Sequence, residues 1–222
     1  MNKPQQQYLE IESGCKYSGE TAVTIAKAMA EGKTAILPTC TMYGLSCIYN
    51  NKAALDRIYE IKQRPKVMPF IILIADIADM DILAERKNAF ADILIEKYWL
   101  PLNPQPVTIV FEKNKNLPDF ITGGSGSIAL RLECLPLIKD VIKICGPIVS
   151  TSSTISGAGG SPVSIAEIPG VIKNNVDIIA SVKENLAGLA STIVDVTGNI
   201  PVIVREGKVS GQEIMELFNQ LK

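Results

Sequence analysis

The sequence predicts an α/β protein built on a mixed sheet, and three observations carry that reading. Helical stripes and short β-branched runs intermix along the chain, with no internal repeat, long linker or abrupt shift in composition. Hydrophobic residues make up 47% and charged residues 20% of the 222 positions, a balance that suits a sizeable core and not a disordered chain. The last two strand-like runs lie close enough to form a hairpin, which a purely parallel sheet would not contain.

The elements follow in order. Ser18 precedes Glu20 and a run of Val23, Ile25, Ala26, Met29 and Ala30 at helical spacing, and Gly32 is placed to end that helix. Residues 34–39 read as a buried strand leading into the loop Cys40-Thr41-Met42-Tyr43-Gly44. Ala54, Ile58 and Ile61 form a helical stripe that Pro65 stops. Residues 69–75, with β-branched Ile71, Ile72 and Ile74, read as the next strand. Helices are predicted over 79–86 and 88–98, a strand over 107–112, a glycine-rich turn over 123–126 and a strand over 128–132. A helix over 136–144 and an extended segment over 148–151 come next. Ser164-Ile165-Ala166-Glu167 has the capping-box pattern, and Ser210-Gly211-Gln212-Glu213 repeats it before the final helix. Strands are predicted over 176–182, 192–196 and 202–205, the last two joined around Thr197-Gly198-Asn199.

Composition excludes several chemistries. The net charge is -1, which argues against a dedicated nucleic-acid binder, although a local basic pocket stays open. The chain has no histidine, so neither a Ser-His-Asp nor a Cys-His mechanism can be built. Catalysis must come from positioning, lysine and arginine charge, carboxylates, backbone amides or a bound cation. Cys15, Cys40, Cys47, Cys134 and Cys145 are odd in number and show no C-x-x-C spacing, so reduced thiols are expected and not a disulfide framework or zinc site. The first residues carry no apolar signal core, and the longest apolar stretch, 70–75, is too short to span a bilayer. A soluble, cytoplasmic protein without membrane partners is the expectation.

Four stretches can carry chemistry, and each also has a plain structural reading. Pro38-Thr39-Cys40-Thr41-Met42-Tyr43-Gly44-Leu45 follows a strand, where ligand contacts often sit; it also reads as a turn whose hydroxyls satisfy the backbone while Tyr43 packs. Lys62-Gln63-Arg64-Pro65-Lys66 reads either as an ordinary cationic helix end or as a phosphate clamp. Residues 146–157 crowd hydroxyls before Gly157-Ala158-Gly159-Gly160, where backbone amides can approach an anion, but neither G-x-x-x-x-G-K-[ST] nor G-x-G-x-x-G is present. Ser191-Thr192-Ile193-Val194-Asp195 followed by Arg205-Glu206-Gly207 is a hairpin with polar ends.

Taken in order, P-T-x-T-x-Y-G-L, K-x-R-P, the proline-rich segment from Trp99 to Thr108, a glycine-rich turn with strand Arg131, G-P-x-V-x-T-S, S-T-x-x-D and R-x-G resemble the YrdC-like family. The resemblance runs from about 18 to 207. It implies one YrdC-like domain over 1–222, since the tail after Gly207 is shorter than the extra domain of longer members. It further implies a twisted, open mixed sheet flanked by helices around a large concave positive cavity. The implied reaction converts L-threonine, bicarbonate and ATP into L-threonylcarbamoyladenylate and pyrophosphate, with Mg²⁺ accompanying ATP. The product would feed tRNA t6A37 modification by other pathway proteins.

By the same resemblance, Lys62 and Arg64 offset phosphate charge and are the catalytic pair. Ser152, Thr154, Ser191 and Arg205 join them in contacting ATP, while Thr39, Thr41, Tyr43 and Arg131 hold threonine. Two departures stand out: Cys40 replaces the aspartate of P-T-D-T, and Thr154 replaces the asparagine of T-S-A-N. Met68 also fills a position that is often polar. These departures motivate the alternative of a paralogue that binds nucleotide, double-stranded RNA or tRNA with altered or lost synthase activity.

Overall fold

The computed structural model describes residues 6–12, 17–66, 68–85, 88–157 and 159–221. Cys15, the predicted helix end at Arg86, and Ala158 of the glycine-rich loop lie outside the described residues.

The strands are β1 (Gln7–Ile11), β2 (Ala35–Leu37), β3 (Gly44–Ile48), β4 (Ile71–Ile74), β5 (Ala84–Glu85), β6 (Val107–Lys113), β7 (Ser127–Leu132), β8 (Ile148–Ser152), β9 (Ile178–Val182), β10 (Thr192–Asp195) and β11 (Val202–Arg205). The helices are α1 (Gly19–Ala30), α2 (Lys52–Lys62), α3 (Ala89–Leu94), α4 (Pro136–Cys145), α5 (Gly170–Lys173) and α6 (Gly211–Asn219). All strands join one sheet in the order β1-β9-β2-β3-β8-β4-β7-β6-β10-β11, with β5 paired to β6. The sheet is mixed, as predicted: β1–β9, β9–β2, β4–β7 and β6–β10 are parallel, and the other neighbours are antiparallel.

Local chemistry explains the helix limits. The Ser18 side chain accepts from the Thr21 backbone N–H, and Asn51 does the same for Ala54 at the start of α2. Gln63 closes α2 in the left-handed conformation, at φ 53°, which turns the chain sharply toward Arg64. The amphipathic helix α4 buries Leu137, Ile138, Val141 and Ile142 and packs against α1. Along β7 the side chains alternate: Ile128, Leu130 and Leu132 enter the core, while Ser127, Ala129 and Arg131 face a cavity on the sheet's other side.

The structure departs from the sequence reading in five places. Strand β3 starts at Gly44, the last residue of the predicted loop, and runs through residues to which no element was assigned; all five of its residues are buried, and Gly44 and Ser46 hide the hydrophobic alternation. Strand β1 was not predicted because Gln7 and Glu10 interrupt its short apolar run and its pairing partner β9 lies about 170 residues away. The predicted helix over 79–86 is a 3₁₀ segment, Ile77–Ile82, capped by Asp76 and Asp79 and followed by β5. The predicted helix over 88–98 is α3 continued by a π-helical turn, Ile95–Trp99, whose tryptophan donates its indole N–H to Val107 O at 2.8 Å. At 164–167 the box pattern precedes only a 3₁₀ turn, Ile165–Glu167. There the Ser164 hydroxyl donates to Glu167 at 3.0 Å instead of capping the backbone.

Candidate functional site

The cavity measures about 400 Å³ and lies over strands that are distant in sequence. Its wall is drawn from the 39–44 loop, β4, β6, β7, β8, β10 and β11, and from Arg64 and Phe70 on either side of Pro69. Three arginines, Arg64, Arg131 and Arg205, line it against a single carboxylate, Asp195. A chain of net charge -1 therefore gathers a local positive excess in this one hollow.

Arg131 is 5% exposed and sits on the central part of the sheet. One terminal nitrogen donates to Thr41 Oγ1 at 3.2 Å and the other reaches Glu133 Oε2 at 3.3 Å. Its Nε is buried with no hydrogen-bond partner. Leaving such a donor unmet costs about 1–3 kcal/mol, so an acceptor in the cavity is the natural complement. Burial pulls the guanidinium down from its ordinary value, but nearby groups including Glu133 outweigh it and the net direction is upward, so Arg131 stays cationic.

Glu133 is fully buried, and sequence reasoning gave it no role. Its Oε1 accepts from the backbone N–H groups of Cys40, Cys134 and Leu135 at 2.9–3.0 Å. It thereby fastens the 39–44 loop to the end of β7. The only sequence signal was a carboxylate directly after an apolar strand.

The loop itself is a hydroxyl-stabilised turn. Thr39 Oγ1 donates to Met42 O at 2.8 Å and shares a hydrogen bond with Thr41 Oγ1 at 2.9 Å. Both threonines also line the cavity. Tyr43 points elsewhere: its hydroxyl accepts from Val182 N at 2.9 Å, tying the loop to β9. Gly44 is required at its position, because a Cβ there would lie 2.2 Å from Ser150 Oγ.

The K-x-R stretch divides. Arg64 reaches the cavity wall, held by Met68 O at 3.1 Å and Pro69 O at 3.0 Å and stacked 5.0 Å from the Phe70 ring centre. Lys62 is 2% exposed and does not line the cavity. Its ammonium donates to Ser152 O at 2.5 Å and Thr154 O at 2.7 Å. Burial first, and then the Arg64 charge, pull its pKa down to about 8. Lys62 thus braces the strand end that presents Ser152 to the cavity. Thr154 is not among the lining residues and shares a hydrogen bond with Ser152 Oγ at 3.0 Å.

On the opposite side Arg205 donates to Ser191 O at 2.8 Å and Ser191 Oγ at 2.9 Å, and Ser191 hydrogen-bonds Thr108 at 2.7 Å. Gly207 lets the chain after β11 press against residues 190–192; a Cβ there would meet three backbone atoms at 2.4 Å. The structure therefore brings Thr39, Thr41, Arg64, Arg131, Ser152, Ser191 and Arg205 to one hollow, and leaves Lys62, Tyr43 and Thr154 outside its lining. Asp195, Phe70, Ser150 and Thr151 line it as well, without having been assigned roles from sequence. Outside the cavity, Cys40, Glu133 and Cys134 place one ligand-type atom each within 4.8 Å of one another. No helix among the described residues is long and apolar enough to cross a membrane.

Comparison with known proteins agrees with this architecture. A family model named Sua5, YciO and YrdC, described as telomere recombination, matches residues 27–207. A threonylcarbamoyl-AMP synthase of Pyrococcus abyssi is 32% identical over 193 residues, covering 86% of this chain and 55% of that protein. One from Hydrogenovibrio crunogenus is 35% identical over 151 residues, covering 66% of this chain and 78% of that protein. The crystal structure of Pyrococcus abyssi Sua5 complexed with L-threonine is 29% identical with a TM-score of 0.85, covering 95% of this chain and 60% of that one. The chain thus spans just over half the length of the Pyrococcus relative. With a family model matched across most of its length and a fold shared with the Pyrococcus structure, this chain belongs to the Sua5/YciO/YrdC family.

Proposed function

We propose that this chain is an L-threonylcarbamoyladenylate synthase, which joins L-threonine, bicarbonate and ATP into threonylcarbamoyl-AMP with release of pyrophosphate, for tRNA t6A37 modification. The observation that carries the reading is Arg131. It is a buried cation on the cavity wall with an unpartnered Nε, beside the hydroxyl of Thr41. That arrangement suits a carboxylate of a small amino acid. Further support comes from the names of the relatives and from the threonine held by the Pyrococcus protein.

Arg64 and Arg205 lie on other parts of the same wall and would offset the triphosphate. Ser152 and Ser191 supply hydroxyls beside them. ATP would enter as its magnesium complex. Asp195 is the one carboxylate among the lining residues, a donor set that suits an ion carried by phosphates and not held in a protein cage. The carbamate oxygen attacks the α-phosphorus and pyrophosphate leaves. Alignment and charge stabilisation drive such a step without a titrating base, so the absence of histidine is no obstacle. In this arrangement Lys62 acts from behind, holding Ser152 in place.

The test is turnover. The purified chain, given threonine, bicarbonate, Mg²⁺ and ATP, is expected to form threonylcarbamoyl-AMP and pyrophosphate in equal amounts. Failure where the Pyrococcus enzyme works would overturn the proposal. Salt-dependent RNA binding that ATP does not displace would favour the paralogue reading instead.

A further inference from the structure

No spacing in the sequence pairs any two cysteines, yet the fold brings two of them together. Cys40 comes from the loop after β2 and Cys134 from the end of β7, just before α4. Their sulfur atoms lie within 4.8 Å of each other. A single carboxylate oxygen of Glu133 accepts from the backbone N–H of both, at 2.9 and 3.0 Å, which holds the two backbones side by side. Both residues are partly exposed, so a small oxidant can reach them. Glu133 itself is saturated by three backbone donors and Arg131, so it orders the pair and is not free to act as a third ligand for a metal.

We propose that Cys40 and Cys134 form a reversible redox pair, which hydrogen peroxide closes to a disulfide that disables the adjacent cavity loop. The Cys134 sulfur attacks one peroxide oxygen, the O–O bond breaks, and water leaves with the thiol proton, giving a sulfenic acid. Cys40 sulfur then attacks the Cys134 sulfur, the S–O bond breaks, and a second water leaves with the Cys40 proton. Two thiols are oxidised and one peroxide is reduced to two waters. The chemistry favours this order. The hydrogen bond from Cys40 draws the Cys134 thiol below its ordinary value against the effect of burial, while that hydrogen bond, burial and Glu133 push Cys40 well up.

Cys40 sits between two cavity-lining residues, Thr39 and Thr41, and Thr41 is a partner of Arg131. Drawing its sulfur to the roughly 2.05 Å of a disulfide shifts that turn and breaks its hydroxyl contacts. The inhibitory half of the inference rests on the threonine reading above; the bond itself does not.

The experiment uses the full chain, reduced and then treated with hydrogen peroxide. Peptide mass spectrometry reads the bond and calorimetry reads threonine affinity. Expected results are a Cys40–Cys134 linked peptide, threonine binding weaker by about tenfold or more, and recovery with dithiothreitol. Cys134→Ser is expected to keep its threonine affinity before and after peroxide. Absence of the linked peptide overturns the pair, and a linked protein that binds threonine as well as the reduced one overturns the inhibition. If reduced protein binds no threonine, the proposed function fails, while the linked peptide still decides the redox pair.

Discussion

Arg131 and Glu133 share one buried ion pair, with side chains 6% and 0% exposed. Removing either partner strands the other. Arg131→Ala is expected to raise the threonine KM by about ten- to hundredfold and to lower stability by about 3–5 kcal/mol. The double variant Arg131→Ala with Glu133→Gln is expected to regain much of the stability, read by denaturant unfolding, but none of the threonine affinity. Recovery of binding would mean that Arg131 acts only on the fold. Lys62 offers a pH signature. The unfolded chain holds its proton up to about 10.5 and the folded chain only to about 8. Between those values the unfolded state binds more protons, so stability gained from this residue rises with pH and is lost again as pH falls through 8. Relative to Lys62→Met, the wild type is expected to gain up to about 3 kcal/mol between pH 8 and 10.5, measured by urea unfolding at each pH.

At the scale of elements, close backbone approach holds the arginine side of the cavity in shape. The segment after β11 presses on residues 190–192 only because Gly207 has no side chain. Gly207→Ala is expected to cost about 1–3 kcal/mol and to raise the ATP KM more than the threonine KM, because the Arg205–Ser191 contact moves while Arg131 stays in place. Equal effects on both substrates would mean that the two sides of the cavity are not independent. On the facing side, α2 ends in a left-handed Gln63, so the same helix end aims Lys62 inward at β8 and Arg64 toward the cavity.

Across the whole molecule, the sheet joins segments far apart in the chain, and the cavity exists only once they are joined. Strand β1 pairs in parallel with β9, which in turn pairs with β2 at the start of the 39–44 loop. Ile11, 1% exposed, anchors that edge. Ile11→Ala is expected to destabilise the protein by about 2–5 kcal/mol in denaturant unfolding, because it opens a cavity in the core at the strand edge whose neighbour, β9, holds the Tyr43 hydroxyl.

The α/β class, the mixed sheet, most strands and the ends of α1 and α2 were legible in the sequence, because helical spacing, β-branched runs, caps and prolines act locally. So were most of the stretches from which the cavity wall is drawn, though not its β4 and β6 parts, Phe70, Ile71 and Val110. The tertiary structure alone decided which side chains of those stretches meet. Lys62 and Arg64 are two residues apart in one motif, yet one is buried beneath β8 and the other lines the hollow. Cys40 and Cys134 are 94 positions apart and lie side by side. Strand β3 stayed hidden because Gly44 and Ser46 fit the close packing against β8 and leave no hydrophobic trace. Sequence spacing reports contacts along the chain; charge gathered from four segments across a sheet depends on strand order, which no local pattern encodes.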